Sequence, residues 1–154
     1  MSDYQAILEV LAKNQLSFLV TGTWAVKQVF PEKLKDYQVA DCDIIMPNDI
    51  LQIRKAIKLL NSLQWETSVW EEIVDENVSE KFLKGKYYIR CRYQQLTLDI
   101  TYENDHFSWS ELNDNTSYCA NYQMVALDKI LKLKKIKGRP VDHEVIRLFK
   151  QFEI

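Results

Sequence analysis

The sequence predicts a single α/β domain, more strictly α+β, built on a mixed, twisted sheet of four or five strands with helices mainly on one side. Three observations predict this class. Short segments alternate between apolar and polar residues, longer segments carry apolar residues at helical spacing, and only three glycines and three prolines are present. A length of 154 residues is most simply one domain, which we assign to residues 1–154.

Ten segments are predicted to be regular elements. The strands are 16–20, Val39–Met46, Trp65–Trp70, Tyr87–Tyr93 and Leu96–Thr101, the last two joined by a turn at Gln94 and Gln95. The helices are 3–15, Trp24–Phe30, a segment capped by Asn48, Tyr122–Lys137, and a last helix capped by Asp142 with Val145, Ile146, Phe149 and Phe152 facing inward. Residues 32–38 and 102–117 are predicted to be loops, and the acidic residues 71–80 a loop or a frayed helix.

Composition excludes several classes of protein. The formal net charge of −2 argues against a general nucleic-acid binder with a basic surface. Cys42, Cys91 and Cys119 are an odd count without CxxC spacing, which favours a reducing compartment and no zinc site. No signal peptide is visible and no apolar run is long enough to cross a bilayer, so we expect a cytoplasmic protein that does not bind a membrane.

A glycine–threonine turn and a pair of aspartates organise the first third of the chain. Gly22 and Thr23 follow a predicted strand, where glycine lets the backbone approach a ligand and the next helix directs its first N–H groups at an anion. Asp41 and Asp43 project from one face of the second strand, because strand residues two apart point the same way. As a solvent-exposed strand start these carboxylates would repel each other, so we favour a seat for Mg²⁺.

The combination of Gly22-Thr23, Asp41-Cys42-Asp43 and Asp99 resembles the motifs of the nucleotidyltransferase superfamily with the polymerase-β-like fold, in particular its small single-domain members. That family has Gly-Ser or Gly-Gly at a helix start, then Asp-x-Asp or Asp-x-Glu, then a third acidic residue on a later strand. Thr23 departs from the pattern but keeps a hydroxyl group, and the gap from Thr23 to Asp41 is longer than is common. The Lys-rich segment 133–142, with its Arg-Pro-x-Asp end, also resembles many small bacterial members.

The resemblance implies transfer of a nucleoside monophosphate from an NTP to an acceptor, with Mg²⁺ or Mn²⁺ as cofactor. On this basis Asp41, Asp43 and Asp99 would be the catalytic and metal-binding residues. Gly22 and Thr23 would hold the β- and γ-phosphates, and Lys134 or Lys137 would reach the triphosphate. Since a single domain leaves little room, the acceptor would bind in a homo-oligomer interface, on the C-terminal helices or on another protein.

Other interpretations stay open at this point. Asp99 could instead pair with Arg90 or Arg92, and lysines late in a helix could merely complement its dipole. The chain could be a catalytically silent binding or regulatory protein of this fold, for example a toxin–antitoxin partner. All three aspartates could also be ordinary ion-paired surface residues, which a wide separation in the structure would favour.

Overall fold

The structure of the protein is a computed structural model that describes residues 3–150, with side chains described for residues 4–149. The described residues form seven helices, α1 (Asp3–Lys13), α2 (Gly22–Val29), α3 (Ile50–Ser62), α4 (Glu80–Leu83), α5 (Trp109–Leu112), α6 (Leu127–Lys137) and α7 (Pro140–Lys150). They also form eight strands, β1 (Leu19–Thr21), β2 (Cys42–Ile45), β3 (Glu66–Val69), β4 (Glu72–Ile73), β5 (Tyr88–Tyr93), β6 (Leu96–Thr101), β7 (Ser117–Cys119) and β8 (Tyr122–Met124).

All eight strands belong to one open sheet in the order β4-β3-β5-β6-β2-β1-β8-β7. The pairs β2–β6 and β1–β8 are parallel and the others are antiparallel, so the predicted mixed sheet and α+β class are confirmed. The predicted count of four or five strands is wrong, because β4, β7 and β8 were not expected. These strands have only two or three residues, which is too short to show a period of two in the sequence.

The predicted helix over Tyr122–Lys137 begins five residues later than expected, at Leu127. The first three residues of the predicted helix form β8 instead, in which Met124 pairs in parallel with Val20 of β1. The backbone N–H of Val125 also donates to the carbonyl of Val20. The predicted loop 102–117 similarly contains α5 and the first residue of β7. Long-range pairing to β1 therefore overrides a local pattern that fits a helix equally well.

Two helix caps differ from the prediction by one and three positions. Asp49, rather than Asn48, caps α3, since its carboxylate accepts hydrogen bonds from the backbone N–H groups of Leu51 and Gln52. The last helix begins at Pro140, so Asp142 lies in its first turn rather than before it. Phe152, which was expected to face the core, lies outside the described residues.

The central strands divide the sheet into an apolar face and a polar row. Ile44, Leu98 and Ile100 are fully buried in the hydrophobic core, together with Ile53, Ile57 and Leu60 of α3. Asp43 and Asp99 alternate with these apolar residues along β2 and β6, so their side chains point to the other face of the sheet. Burial of the apolar face fixes the pairing register of β2 and β6. A shift by one residue would turn the apolar side chains away from the core and bury the carboxylates in it.

The loop between α2 and β2, which makes the gap from Thr23 to Asp41 long, packs against the rest of the protein. Leu34 is fully buried within it, and the ammonium group of Lys27 in α2 donates to the carbonyl of Tyr37 at 2.6 Å. The three cysteines are buried as free thiols. Among the described residues, none of the helices has the length and apolarity that crossing a membrane would require.

A buried hydroxyl group on β3 provides a test of this packing. Thr67 Oγ1 donates to the carbonyl of Val74 at 2.8 Å and accepts from Asn61 Nδ2 at 3.1 Å. We expect Thr67→Val to lower the free energy of unfolding by about 1–3 kcal/mol, because it removes both bonds that the fully buried hydroxyl group makes. Thr67→Ser keeps the hydroxyl and serves as the control in urea unfolding; equal stability of the two variants would contradict the assignment.

Candidate functional site

Four neighbouring strands place polar side chains in one row across the sheet. Asp99 of β6 lies opposite Asp43 of β2, which lies opposite Thr21 of β1, and Arg90 of β5 lies opposite Asp99. Paired residues of adjacent strands share a face, so these four side chains project together. Asp41 comes two residues before Asp43 and joins the row from just outside β2. The structure thus brings together the three aspartates that the sequence singled out.

The three aspartates form a cluster that can hold a metal ion. Asp41, Asp43 and Asp99 each offer one carboxylate oxygen, and these oxygens lie within 4.8 Å of one another. Mg²⁺ prefers oxygen ligands at about 2.1 Å, which places neighbouring ligand oxygens about 3 Å and opposite ones about 4 Å apart. Small side-chain rotations would bring the three oxygens to that spacing, so the donor set fits Mg²⁺ or Mn²⁺.

The cluster holds more negative charge than its surroundings neutralise. Burial, together with the negative charges of Asp41 and Asp99, raises the pKa of Asp43 to about 7. Burial also raises the pKa of Asp41, with the charge of Asp99 adding to the effect. Since both effects disfavour the charged form, a cation placed between the carboxylates would relieve them directly. This electrostatic state is what a hard cation site requires.

Asp99 has a second partner in Arg90. Arg90 Nε donates to Asp99 Oδ1 at 2.9 Å and Arg90 Nη2 donates to Asp99 Oδ2 at 3.1 Å. Of the two arginines considered from the sequence, Arg90 makes this pair, while Arg92 lies opposite Thr97 and is exposed. The two interpretations of Asp99 are compatible, because each carboxylate oxygen has two lone pairs and can face both a guanidinium group and an ion.

The first turn of α2 lies directly against the cluster. The helix begins at Gly22, two residues before the predicted start, and Thr21 makes no side-chain capping bond to it. Gly22 has a φ of +77°, and a Cβ atom added there would lie 2.4 Å from Asp43 Oδ2. Only glycine allows this backbone to lie so close to the carboxylate. The positive end of the helix dipole therefore adjoins the row of aspartates.

Lys134 links this turn to the C-terminal helices. It is buried, unlike the neighbouring Lys135 and Lys137 of the same helix, which are exposed. Its ammonium group donates to Thr23 Oγ1 at 2.6 Å and lies 3.6 Å from Asp142 Oδ1. Burial lowers the pKa of Lys134, although the charges of Asp142 and Asp43 act in the opposite direction. The other residues assigned to phosphate binding, Gly22 and Thr23, are thus adjacent to Lys134.

Asp142 is a residue of the site that the sequence reasoning treated only as a helix cap. It is fully buried and accepts bonds from Arg139 Nε at 2.7 Å, Arg139 Nη2 at 3.1 Å and the backbone N–H of Arg139 at 3.2 Å. Burial alone would raise the pKa of Asp142, but the bonds from Arg139 and the charge of Lys134 lower it. Asp142 therefore stays ionised and holds Lys134 in place. The Arg-Pro-x-Asp segment was the signal in the sequence that pointed to it.

Comparison of the chain with protein families, with curated proteins and with solved structures finds no match. The functional interpretation consequently rests on the residues of the site and on their geometry.

Gly22 can be tested against a matched glycine. We expect Gly22→Ala to displace Asp43 and to abolish stabilisation by Mg²⁺, in addition to the cost of about 1–2 kcal/mol for a side chain at positive φ. Gly85→Ala is the control, because Gly85 has a φ of +79° but no atom within 4 Å of an added Cβ. Thermal unfolding with and without Mg²⁺ would measure both effects. Retention of the Mg²⁺ effect in Gly22→Ala would contradict the close contact with Asp43.

The raised pKa of Asp43, about 7, makes a prediction about pH. In the metal-free protein, Asp43 keeps its proton on folding at pH values where the unfolded chain has lost it. Its contribution to stability is complete below about pH 4 and disappears as the pH rises through about 7. Binding of a cation needs the ionised carboxylate, so we expect Mg²⁺ to raise the melting temperature more at pH 8 than at pH 6. Equal increments at the two pH values would argue against Asp43 as a ligand.

Proposed function

We propose that the protein is a metal-dependent nucleotidyltransferase that moves a nucleoside monophosphate from an NTP to a hydroxyl group of an acceptor. One observation carries the proposal: the oxygens of Asp41, Asp43 and Asp99 lie within 4.8 Å of one another. The first turn of α2 and the ammonium group of Lys134 adjoin that cluster. A seat for a divalent cation beside donors for an anion is the combination that binds a metal-bound triphosphate.

The three aspartates have separate tasks in this proposal. Asp41 and Asp43 would hold Mg²⁺ or Mn²⁺, and Asp99 would complete the site and accept the proton of the acceptor hydroxyl group. The bound cation would neutralise the negative charge that develops on the phosphate oxygens. As the acceptor oxygen bonds to the α-phosphorus, the bond from that phosphorus to the bridging oxygen breaks. Pyrophosphate then leaves, and the proton passes from Asp99 to solvent.

Cationic groups on the other side of the cluster would position the triphosphate. Gly22 and Thr23 offer the N–H groups of the first turn of α2, and Lys134 offers an ammonium group that is bonded to Thr23. Lys137 and Arg139 are exposed, and their charges lower the pKa of Asp41, so they face the same space. In this proposal one surface combines negative charge for a cation with positive charge for phosphate.

A second candidate function is supported by the pair of Arg90 and Asp99. Because Arg90 binds both oxygens of Asp99, the third carboxylate has a partner without any metal ion. This pairing favours a protein that binds a nucleotide without turnover, for example a regulatory subunit or a toxin–antitoxin partner.

Measurement of pyrophosphate release distinguishes the two candidates. We expect release from one or more NTPs with hydroxyl-bearing acceptors, lost on chelation of the metal ion and reduced at least about 100-fold in Asp43→Asn. Lys137→Met should lose less, because an exposed lysine only positions the substrate. Asp114→Asn, which removes an exposed carboxylate elsewhere, is the matched control. Unchanged activity in Asp43→Asn would refute the mechanism, and NTP binding without release would favour the second candidate.

A further inference from the structure

A cavity of about 360 Å³ lies at the ends of the two strands that carry Asp43 and Asp99. Ile45, the last residue of β2, lines it, as do Tyr102 and Glu103, which follow β6. Ile45 comes two residues after Asp43 on the same face of the strand, which separates them by about 7 Å. The size is at the lower end for small-molecule sites, so a small ligand fits and a macromolecular segment does not.

The two charged side chains that line this cavity are both acidic. Glu103 and Asp105 line it, and its lining within the described residues includes neither lysine nor arginine. Backbone N–H groups of Gly85, at 2.9 and 3.1 Å, and of Tyr87, at 3.0 Å, hold the carboxylate of Glu103 in place. Asp105 is exposed at the cavity and accepts from the hydroxyl group of Tyr87 at 3.1 Å. The cavity therefore has a fixed negative charge that favours a cation.

Aromatic rings supply the second feature of the cavity. Tyr87, Phe107 and Trp109 line it, and the flat faces of such rings attract cations. The protein already uses one of them in this way, since Lys132 Nζ lies 5.6 Å from the centre of the Phe107 ring. A carboxylate and aromatic faces together are the usual surroundings of an organic ammonium group. Neither feature suits the triphosphate, which is anionic.

We propose that this cavity binds the acceptor, and that the acceptor is a small hydroxyl-bearing organic cation. This rests on the proposed transferase function. The ammonium group lies against Asp105, Tyr87 and Trp109, and the hydroxyl group extends past Ile45, the lining residue on the same face of β2 as Asp43. An acceptor must reach about 7 Å beyond Ile45 to meet Asp43, and shorter molecules bind at the cationic end alone.

Choline and its uncharged isostere test the recognition without any turnover. In the isostere a tert-butyl group replaces the trimethylammonium group, so that size and hydroxyl group are kept and only the charge is lost. In ligand-observed NMR titrations of the full chain we expect choline to bind about tenfold more tightly than the isostere. In protein-observed NMR spectra, the indole N–H signal of Trp109, assigned by its loss in Trp109→Phe, should shift when choline is added. Equal affinities, absence of choline binding, or a shift elsewhere only would overturn the proposal.

Two variants locate the cation. Asp105→Asn should remove most of the preference for choline, because it removes the exposed carboxylate of the cavity. Asp36→Asn makes the same change at an exposed aspartate of the loop before β2, outside the cavity, and should leave the preference intact. An unchanged preference for choline over the isostere in Asp105→Asn, or an equal loss of it in Asp36→Asn, would show that the cavity does not recognise the positive charge.

Failure of this inference can be told apart from failure of the transferase proposal. Calorimetry with Mg²⁺ and NTP tests the transferase site, and Asp43→Asn should abolish that binding while choline still binds. NTP binding without a preference for choline would overturn only the cavity assignment. A preference for choline without NTP binding would overturn the transferase function and leave an organic-cation site of another role.

Discussion

The close contact between Gly22 and Asp43 is the constraint on which the rest of the site depends. Antiparallel pairing of β1 with β2 sets Thr21 opposite Asp43, and the chain turns into α2 at the next residue. A helix can begin there only if its first residue has no side chain, because the carboxylate occupies that space. The same turn therefore determines where α2 starts, where Asp43 points and how near the helix dipole lies to the acidic row.

Charge is distributed around that contact in two groups. On one side, Arg90 neutralises part of the acidic row through Asp99, and on the other Lys134 is held between Thr23 and Asp142. The pKa values of Asp41 and Asp43 are both raised, first by burial and then by neighbouring carboxylates: Asp99 acts on Asp41, and Asp41 and Asp99 both act on Asp43. The folded protein thus keeps two carboxyl groups together where their ionised forms are disfavoured. Such an arrangement lowers stability, and native proteins keep it mostly where a ligand gains from it.

Local patterns were sufficient for some features of the fold and insufficient for others. Alternation along β5 and β6 predicted their hairpin and placed Asp99 on a defined face. The parallel pairing that sets Asp99 beside Asp43 is a long-range property, which only a resemblance between motifs indicated. Met124 lies three residues before Leu127, at helical spacing, so the sequence predicted a helix where β8 pairs with β1. Lys134 looked like its neighbours because its burial depends on Thr23, 111 residues away.

That separation has a consequence for synthesis of the protein. The ribosome completes the glycine turn and all three aspartates before it makes Lys134, which lies 111 residues after Thr23. At ~5–20 residues per second, the 111 residues from Thr23 to Lys134 take roughly 5–20 s, during which the first turn of α2 lacks the ammonium group that bonds to Thr23. The bond between Lys134 and Thr23 therefore forms only after α6 has been made. A growing chain carries all three aspartates before it can place this ammonium group beside the first turn of α2.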